Sequence, residues 1–452
     1  MRAGGAAKPT RSLFGTDGVR GVAGERLTAE LALGLAAAAT RLAAPEPGHR
    51  RAQVLVIRDT RESGEMLEAA IAAGVAAAGG DALLGGILPT PAAPLLIRRY
   101  GLELGVVISA SHNPYRDNGI KFFGPDAHKL SDRREAEIEA AFDAGDAATG
   151  GHSIGRVRQL RGTLEDYLRE LHARFADLDL SGLRVALDCA HGAAYRAAPE
   201  IFRRLGAEVS ALGVEPDGRN INDGCGSTHV DALAAAVVAG EHDVGFAFDG
   251  DADRVLAVDR TGAVVDGDEL VALAALHLRA TGRLPGPGVA VTVMANYGFH
   301  TAMREAGIEV ATTQVGDRYV LEELRARGWA LGGEQSGHII DLGFAPSGDG
   351  IASALLALEA LGGRDLGERD AMAKLPQRLV NVPVANSEGL LDDRAVIDAI
   401  QRESRALEGR GRVLVRPSGT EPLVRVMVEA PSDDEATAAC ERLVAALQAI
   451  AA

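Results

Sequence analysis

The chain carries 452 residues, with 47 Lys+Arg against 63 Asp+Glu and a formal charge of −16. That length exceeds one ordinary core, since domains run ~100–200 residues, and the acidic balance excludes the basic face that nucleic-acid binding requires. Aromatic residues make up only 4%, so the cores must be built from Ala, Val, Leu and Ile.

In chain order, Gln53–Ile57 reads as an apolar strand and residues 66–78 as an Ala/Gly-rich helix. Leu104–Ile108 is a second strand, running into Ser109-Ala-Ser-His-Asn-Pro114. A second unit repeats the plan: strand Leu183–Leu187, a helix near Ala198–Leu205 stopped by Gly206, and a strand from Val209. Its strand Val244–Phe248 then runs into Asp249-Gly-Asp-Ala-Asp253. A third has strand Gly288–Val293, a helix around Phe299–Glu305 stopped by Gly307, and strand Ile308–Val310. Its strand Trp329–Leu331 runs into Gly333-Glu-Gln-Ser-Gly-His338. Short apolar runs bounded by glycine and alternating with helices predict parallel α/β units. Ligands in open α/β sheets bind at the carboxyl ends of strands, so the three polar clusters are expected to converge on one cleft.

The last stretch differs. It reads as strand Val380–Val384, helix Leu391–Leu407, strands Arg412–Val415 and Leu423–Val428 around a polar loop, and a final helix capped by Ser432. Residues 145–155 form a Gly/Ala-rich linker, with further boundaries at 260–262 and 361–367. The expected fold class is α/β: three similar mixed-sheet α/β domains (1–150, 156–259, 260–370) and a smaller C-terminal α+β domain (376–452) around one central cleft.

Cys189, Cys225 and Cys440 show no CxxC spacing, which points to reduced thiols and the cytoplasm. Residues 1–10 lack the apolar core of a signal peptide, and the uncharged run from Ala82 to Ile97 is broken by Pro89, Pro91 and Pro94. Nothing reaches the ~20 apolar residues of a spanning helix. Neither a membrane nor a nucleic-acid partner is expected.

Asp249, Asp251 and Asp253 place three carboxylates within five residues, a costly arrangement unless a divalent cation is shared. Oxygen ligands favour Mg²⁺, Mn²⁺ or Ca²⁺ over zinc. A calcium EF-hand loop is excluded, because Arg254 and Arg260 stand where Gly and Glu are needed. Ser111, just after a buried-type strand, is either a covalent phosphate carrier or part of an Asn-Pro turn braced by Ser and His. Arg416-Pro-Ser-Gly-Thr-Glu-Pro422 offers Ser418, Gly419 and Thr420 as phosphate donors, with Arg416 and Arg425 adding charge; a plain hairpin loop is the alternative. Glu334, Gln335, Ser336 and His338 supply groups that read sugar hydroxyls or an amine, or else hold a turn.

Together and in this order, these loops and Phe14-Gly-Thr-Asp-Gly-Val-Arg-Gly21 resemble the α-D-phosphohexomutase superfamily over almost the whole chain. Asn118–Phe123, Leu187–Tyr195, Cys225–His229, Val315–Val320 and Gln335 are similar to its bacterial branch acting on glucosamine phosphates. Val230, Met294–Phe299 and the loop Gly124–Lys129 depart from that branch. The resemblance implies an intramolecular phosphotransferase of the isomerase class. It would interconvert glucosamine 6-phosphate and glucosamine 1-phosphate through phospho-Ser111 and glucosamine 1,6-bisphosphate, which also serves as activator. This would supply UDP-N-acetylglucosamine and cell-wall precursors; phosphomannomutase/phosphoglucomutase action on the same scaffold is the alternative. The implied roles are one Mg²⁺ per subunit on Asp249, Asp251, Asp253 and the Ser111 oxygen, with Arg20 and Arg254 neutralising the transferring group. Lys121, with a pKa lowered by its neighbours, or His338 would be the general base. Glu334 and Ser336 would hold the sugar, and Arg416, Ser418, Gly419, Thr420 and Arg425 the non-reacting phosphate. Monomer and homodimer both stay open.

Overall fold

The computed structural model describes residues 12–15, 17–44, 50–145, 154–384, 387–417 and 422–451. Ser418, Gly419 and Thr420, residues 1–10, and most of the expected linker at 145–155 lie outside the described residues. The chain divides into two compact units, Met1–Val293 with Ala311–Arg369, and Met294–Val310 with Asp370–Ala452.

The first unit is built on three mixed sheets. One has seven strands, in the order Phe14–Gly15, Gly18–Val22, Asp117–Phe123, Leu104–Ile108, Gln53–Arg58, Asp81–Ile87, Val157–Gln159. A second orders Val264–Val265, Val255–Asp259, Val244–Phe248, Arg184–Asp188, Glu208–Leu212. A third orders Glu309–Thr313, Gly288–Thr292, Leu331–Gly333, Ile339–Asp341.

The parallel units expected from the apolar runs are present: Gln53–Arg58 pairs in parallel with Leu104–Ile108, Arg184–Asp188 with Val244–Phe248, and Gly288–Thr292 with Leu331–Gly333. What the apolar runs did not show is the strand that follows each polar cluster. Asp117–Phe123, Val255–Asp259 and Ile339–Asp341 return antiparallel beside the strand that enters the cluster. Each cluster is therefore the loop of a hairpin, held on both sides by a ladder. A loop so anchored positions side chains more tightly than a strand-to-helix connection.

Small side chains let the layers approach closely. Helices Ala29–Ala43 and Ser63–Ala77 pack face to face, and a Cβ on Gly74 would lie 2.2 Å from the Leu33 carbonyl oxygen. Thr28 caps the first of these, accepting from the Leu31 amide at 3.2 Å. Around them Val54, Val56, Val106, Ile108 and Ile120 form an aliphatic core, as the scarcity of aromatics requires.

The second unit carries an antiparallel sheet ordered Gln377–Pro383, Leu423–Glu429, Arg412–Pro417, with Val424, Val426, Val428 and Leu443 in its core. The helix expected over Leu391–Leu407 is Arg394–Ala406, preceded by a separate short helix, Ser387–Leu391. Asp393 separates them: its backbone is extended and its carboxylate accepts from the Ala395 amide at 2.8 Å, capping Arg394–Ala406. Among the described residues no helix is long and apolar enough to cross a membrane.

One buried carboxylate makes a stability prediction. Asp349 caps helix Gly350–Leu361 and receives the Tyr167 hydroxyl at 2.9 Å. Burial pushes its carboxyl up to about 6, against the bonds from Ala352 and Tyr167 that favour the charged form. The folded chain thus holds this proton more tightly than the unfolded chain, so the contribution is present at low pH and lost as pH rises through that value. The ionised form costs ~3 kcal/mol at neutral pH. Asp349→Asn keeps an oxygen for the cap and removes the charge. It is expected to melt above the parent at neutral pH and to converge with it near about pH 4; a difference in Tm that does not vary with pH refutes this account.

Candidate active site

Ser111 lies in the hairpin loop between Leu104–Ile108 and Asp117–Phe123, 1% exposed, with a left-handed backbone (φ +53°). Its Oγ donates to Asp249 Oδ2 at 2.6 Å. Asp249 begins the next hairpin loop, where Ala252 also takes positive φ (+57°) and turns the backbone back on itself. As a result Asp249, Asp251 and Asp253 present oxygens within 4.8 Å of one another, all buried.

These carboxylates are unequal. Asp249 is pushed up by burial and then by Asp253 and Asp251. Burial would raise Asp253 too, but His338, Lys121 and Arg254 outweigh it and hold that carboxyl far below its usual range. Asp251 Oδ2 accepts from Thr90 Oγ1 at 2.6 Å and from Lys121 Nζ at 2.9 Å. Among the described residues no donor lies within hydrogen-bond distance of the buried Asp251 Oδ1 and Asp253 Oδ1, the latter meeting His338 Nδ1 only at 3.6 Å and Arg254 Nε at 3.8 Å. Two orphaned carboxylate oxygens beside a third carboxylate fit a hard divalent cation.

Arg254 and His338 form a bridge that joins the Asp249–Asp253 loop to the loop after Leu331–Gly333. The approach is tight: Gly337 has φ +89°, and a Cβ there would lie 2.1 Å from the Val255 carbonyl oxygen. A cleft of about 550 Å³ results, lined by Arg20, Ser111, Asp253, Arg254, Glu334, Ser336 and His338 among others. That size suits a sugar phosphate. Glu334 accepts from the Gly316 amide at 2.9 Å, which fixes its carboxylate. Gln335, expected among the sugar-reading groups, does not line this cleft; its amide donates to Asp266 Oδ2 at 3.2 Å. His112 has its pKa lowered to about 4 by burial and by Arg254 and Arg20. The same positive field suits a phosphoryl dianion beside Ser111.

The expectation of a lowered Lys121 pKa is not met. Lys121 is buried, which works to lower it, but Asp17 at 3.1 Å, Asp251 and Asp253 outweigh burial and hold it above its ordinary value. His338 is also raised: burial opposes the charge, while Asp253 and Asp317 favour it. The Gly348 amide donates to Nε2 at 3.1 Å, so the neutral ring carries its proton on Nδ1, facing Asp253 Oδ1 at 3.6 Å.

Several functional neighbours carry no local signal in the chain. Lys129, in the loop that departs from the resembled branch, bridges Asp17 and Asp317 at 2.6 Å each. Asp59, Arg61 and Asn222 hold the Ser111 loop from behind. None of these was legible as a motif, because Lys129, the Asp59/Arg61 pair and Asn222 lie on separate segments.

In the second unit, Arg416 and Arg425 stand directly opposite on paired strands. Burial and then the Arg425 charge depress the Arg416 pKa. Like charges paired this way are destabilising without an anion.

Residues 11–149, 165–262, 266–379 and 379–446 match the four domain families described as phosphoglucomutase/phosphomannomutase, alpha/beta/alpha domains I, II and III and C-terminal domain. The chain belongs to the phosphoglucomutase/phosphomannomutase family. It is accordingly an enzyme of the isomerase class, with the family's three α/β domains and C-terminal domain. A phosphoglucosamine mutase from Mycolicibacterium vanbaalenii is 53% identical over 428 residues, covering 94% of this chain and 96% of that one. One from Pelotomaculum thermopropionicum is 52% identical, covering 92% and 94%. A family member from Burkholderia thailandensis shares the fold with a TM-score of 0.80 at 24% identity, covering 97% of each chain. N-acetylphosphoglucosamine mutase from Aspergillus fumigatus, solved with GlcNAc-6P and magnesium, gives a TM-score of 0.65 at 20% identity, covering 99% and 97%.

Proposed function

We propose that this chain interconverts glucosamine 6-phosphate and glucosamine 1-phosphate through a phosphorylated Ser111. The observation that carries the reading is the Ser111 hydroxyl held 2.6 Å from Asp249 of the carboxylate triad, at the wall of the cleft. The substrate follows from the relatives at just over half identity, which are phosphoglucosamine mutases. The enzyme then works in the cytoplasm, where it supplies UDP-N-acetylglucosamine and cell-wall precursors.

Phospho-Ser111 gives its phosphoryl group to the free sugar hydroxyl: the P–Oγ bond breaks, a P–O bond to the sugar forms, and glucosamine 1,6-bisphosphate results. The bisphosphate turns over and returns its other phosphate to Ser111. The same bisphosphate charges dephospho-enzyme. Arg20 and Arg254 neutralise the transferring group, Glu334 and Ser336 hold the sugar ring, and Arg416 and Arg425 take a phosphate group. Asp249, Asp251 and Asp253 would hold one Mg²⁺, which would supply positive charge to neutralise the phosphoryl oxygens. Of the two expected bases, Lys121 is held charged by Asp17, Asp251 and Asp253 and has no lone pair to accept the hydroxyl proton, which leaves His338.

Phosphorus NMR of the protein with Mg²⁺, glucosamine 6-phosphate and a trace of the bisphosphate tests the reading. Glucosamine 1-phosphate is expected to grow in. Turnover of mannose or glucose phosphates in its place moves the substrate to the alternative, and silence on all three overturns the enzyme reading. His338→Ala tests the base: it is expected to lower kcat by ~10²–10⁴-fold, and parent-like turnover refutes that role.

A further inference from the structure

Arg61 is a fully buried arginine 50 residues upstream of Ser111. Its Nε donates to Asp59 Oδ2 at 2.9 Å. Its Nη2 donates to the carbonyls of Ser111 at 2.8 Å and Asn113 at 2.9 Å. Its Nη1 donates to the carbonyls of Pro114 and of Asp117, the latter at 3.0 Å. All five N–H groups of the guanidinium are used, four of them on backbone carbonyls of one seven-residue stretch. Asn222, on a loop next to the metal-bearing sheet, donates to the carbonyls of Ser111 at 2.9 Å and Asn113 at 3.1 Å. From the other side, the Ser111 amide donates to Ser109 Oγ at 2.9 Å, and Ser109 donates to Asp59 at 2.6 Å.

The backbone of Ser111 is thereby tied at both its amide and its carbonyl. A left-handed serine costs ~1–2 kcal/mol and persists only where its surroundings over-determine it. Here Arg61 and Asn222 do so, drawing the loop carbonyls inward. Neither residue lines the cleft.

We infer that Arg61, seconded by Asn222, is the positioning residue that keeps Ser111 Oγ at one fixed point for both transfers of the mutase cycle. This rests on the mutase reading above. In that cycle Ser111 Oγ must release its phosphoryl group in line with one sugar oxygen and then attack, in line, the other phosphate on the other sugar oxygen, so the serine cannot follow either pose. A loosened loop leaves the phosphoryl group off line from the sugar hydroxyl and open to water. Then the water oxygen forms the new P–O bond as the Oγ–P bond breaks, Oγ takes a proton, and inorganic phosphate leaves.

The test compares Arg61→Lys and Asn222→Ala with the parent. Lysine keeps a charge for Asp59 but lacks the planar fork that reaches four carbonyls. Turnover of glucosamine 6-phosphate and release of inorganic phosphate are measured together, beside amide exchange over residues 111–117. A misplacement of ~1 Å costs about 100-fold. Arg61→Lys is expected to lose about that factor in kcat, and Asn222→Ala about 10-fold, with KM within about threefold. Both should release more inorganic phosphate per turnover and exchange the loop amides faster. Parent-like kcat and phosphate release in either folded variant overturns the inference, as does a raised KM with kcat intact. Should Arg61→Lys fail to fold, Asn222→Ala decides alone. Failure of the mutase reading shows separately, as an inactive parent.

Discussion

Replacing Ser111 with alanine is expected to lower kcat by at least about 10⁴-fold, because no other group in the cleft replaces a covalent phosphate carrier. The fold should survive. The substitution removes one hydroxyl that donates to Asp249, a loss of ~1–3 kcal/mol, and leaves the loop's other bonds in place. The decisive control is Ser109→Ala, two residues away. Ser109 is equally buried but donates to Asp59 and accepts from the Ser111 amide, so it supports the loop and carries no phosphate. Incubated with glucosamine 1,6-bisphosphate, the parent and Ser109→Ala should each gain one phosphoryl group by intact mass, and Ser111→Ala none. A phosphorylated, active Ser111→Ala protein refutes the assignment.

Much of this site was readable from the chain, for a physical reason. Ser111, the three aspartates, Glu334 and His338 all follow apolar runs that could only be buried strands, so polar residues there had to sit at strand ends. Arg416 and Arg425 were likewise visible as charges flanking a loop between strands. The return strand Asp117–Phe123 was hidden because it carries Asn118 and Lys121 and breaks the apolar signature. The clamp of Asp59, Arg61 and Asn222 was hidden because it meets the Ser111 loop only through the fold: Arg61 donates to a carbonyl 50 residues away and Asn222 to one 111 residues away. The protonation of Lys121 was misread for a related reason. Its nearest charges are Asp17, Asp251 and Asp253, and Asp17 is more than a hundred residues distant in the chain. A base judged by its neighbours in sequence is judged by the wrong neighbours.

Neutralising Asp249 should separate stability from function. Asp249→Asn is expected to lower kcat by about 10³-fold and to abolish the rise in Tm that Mg²⁺ gives the parent, about 2.7 kcal/mol at a metal concentration ~100 times Kd. Chelation of the parent should reproduce the loss of activity, and added Mg²⁺ should restore it. In chelator, however, the variant should melt above the parent. Burial and the charges of Asp253 and Asp251 push the Asp249 carboxyl up, which means its ionised form costs folding free energy. That cost is absent at low pH, where the group is protonated, and appears as pH rises through its folded pKa, so the gap in Tm should widen with pH. The amide side chain of the variant keeps one oxygen for the Ser111 hydroxyl or the Arg254 amide, both of which Asp249 now receives. Keeping Asp249 as a buried carboxylate beside Asp251 and Asp253 at a cost to stability is what the proposed cation site requires. If the metal-free variant melts below the parent at every pH, Asp249 is a structural acceptor and the metal reading of this loop falls.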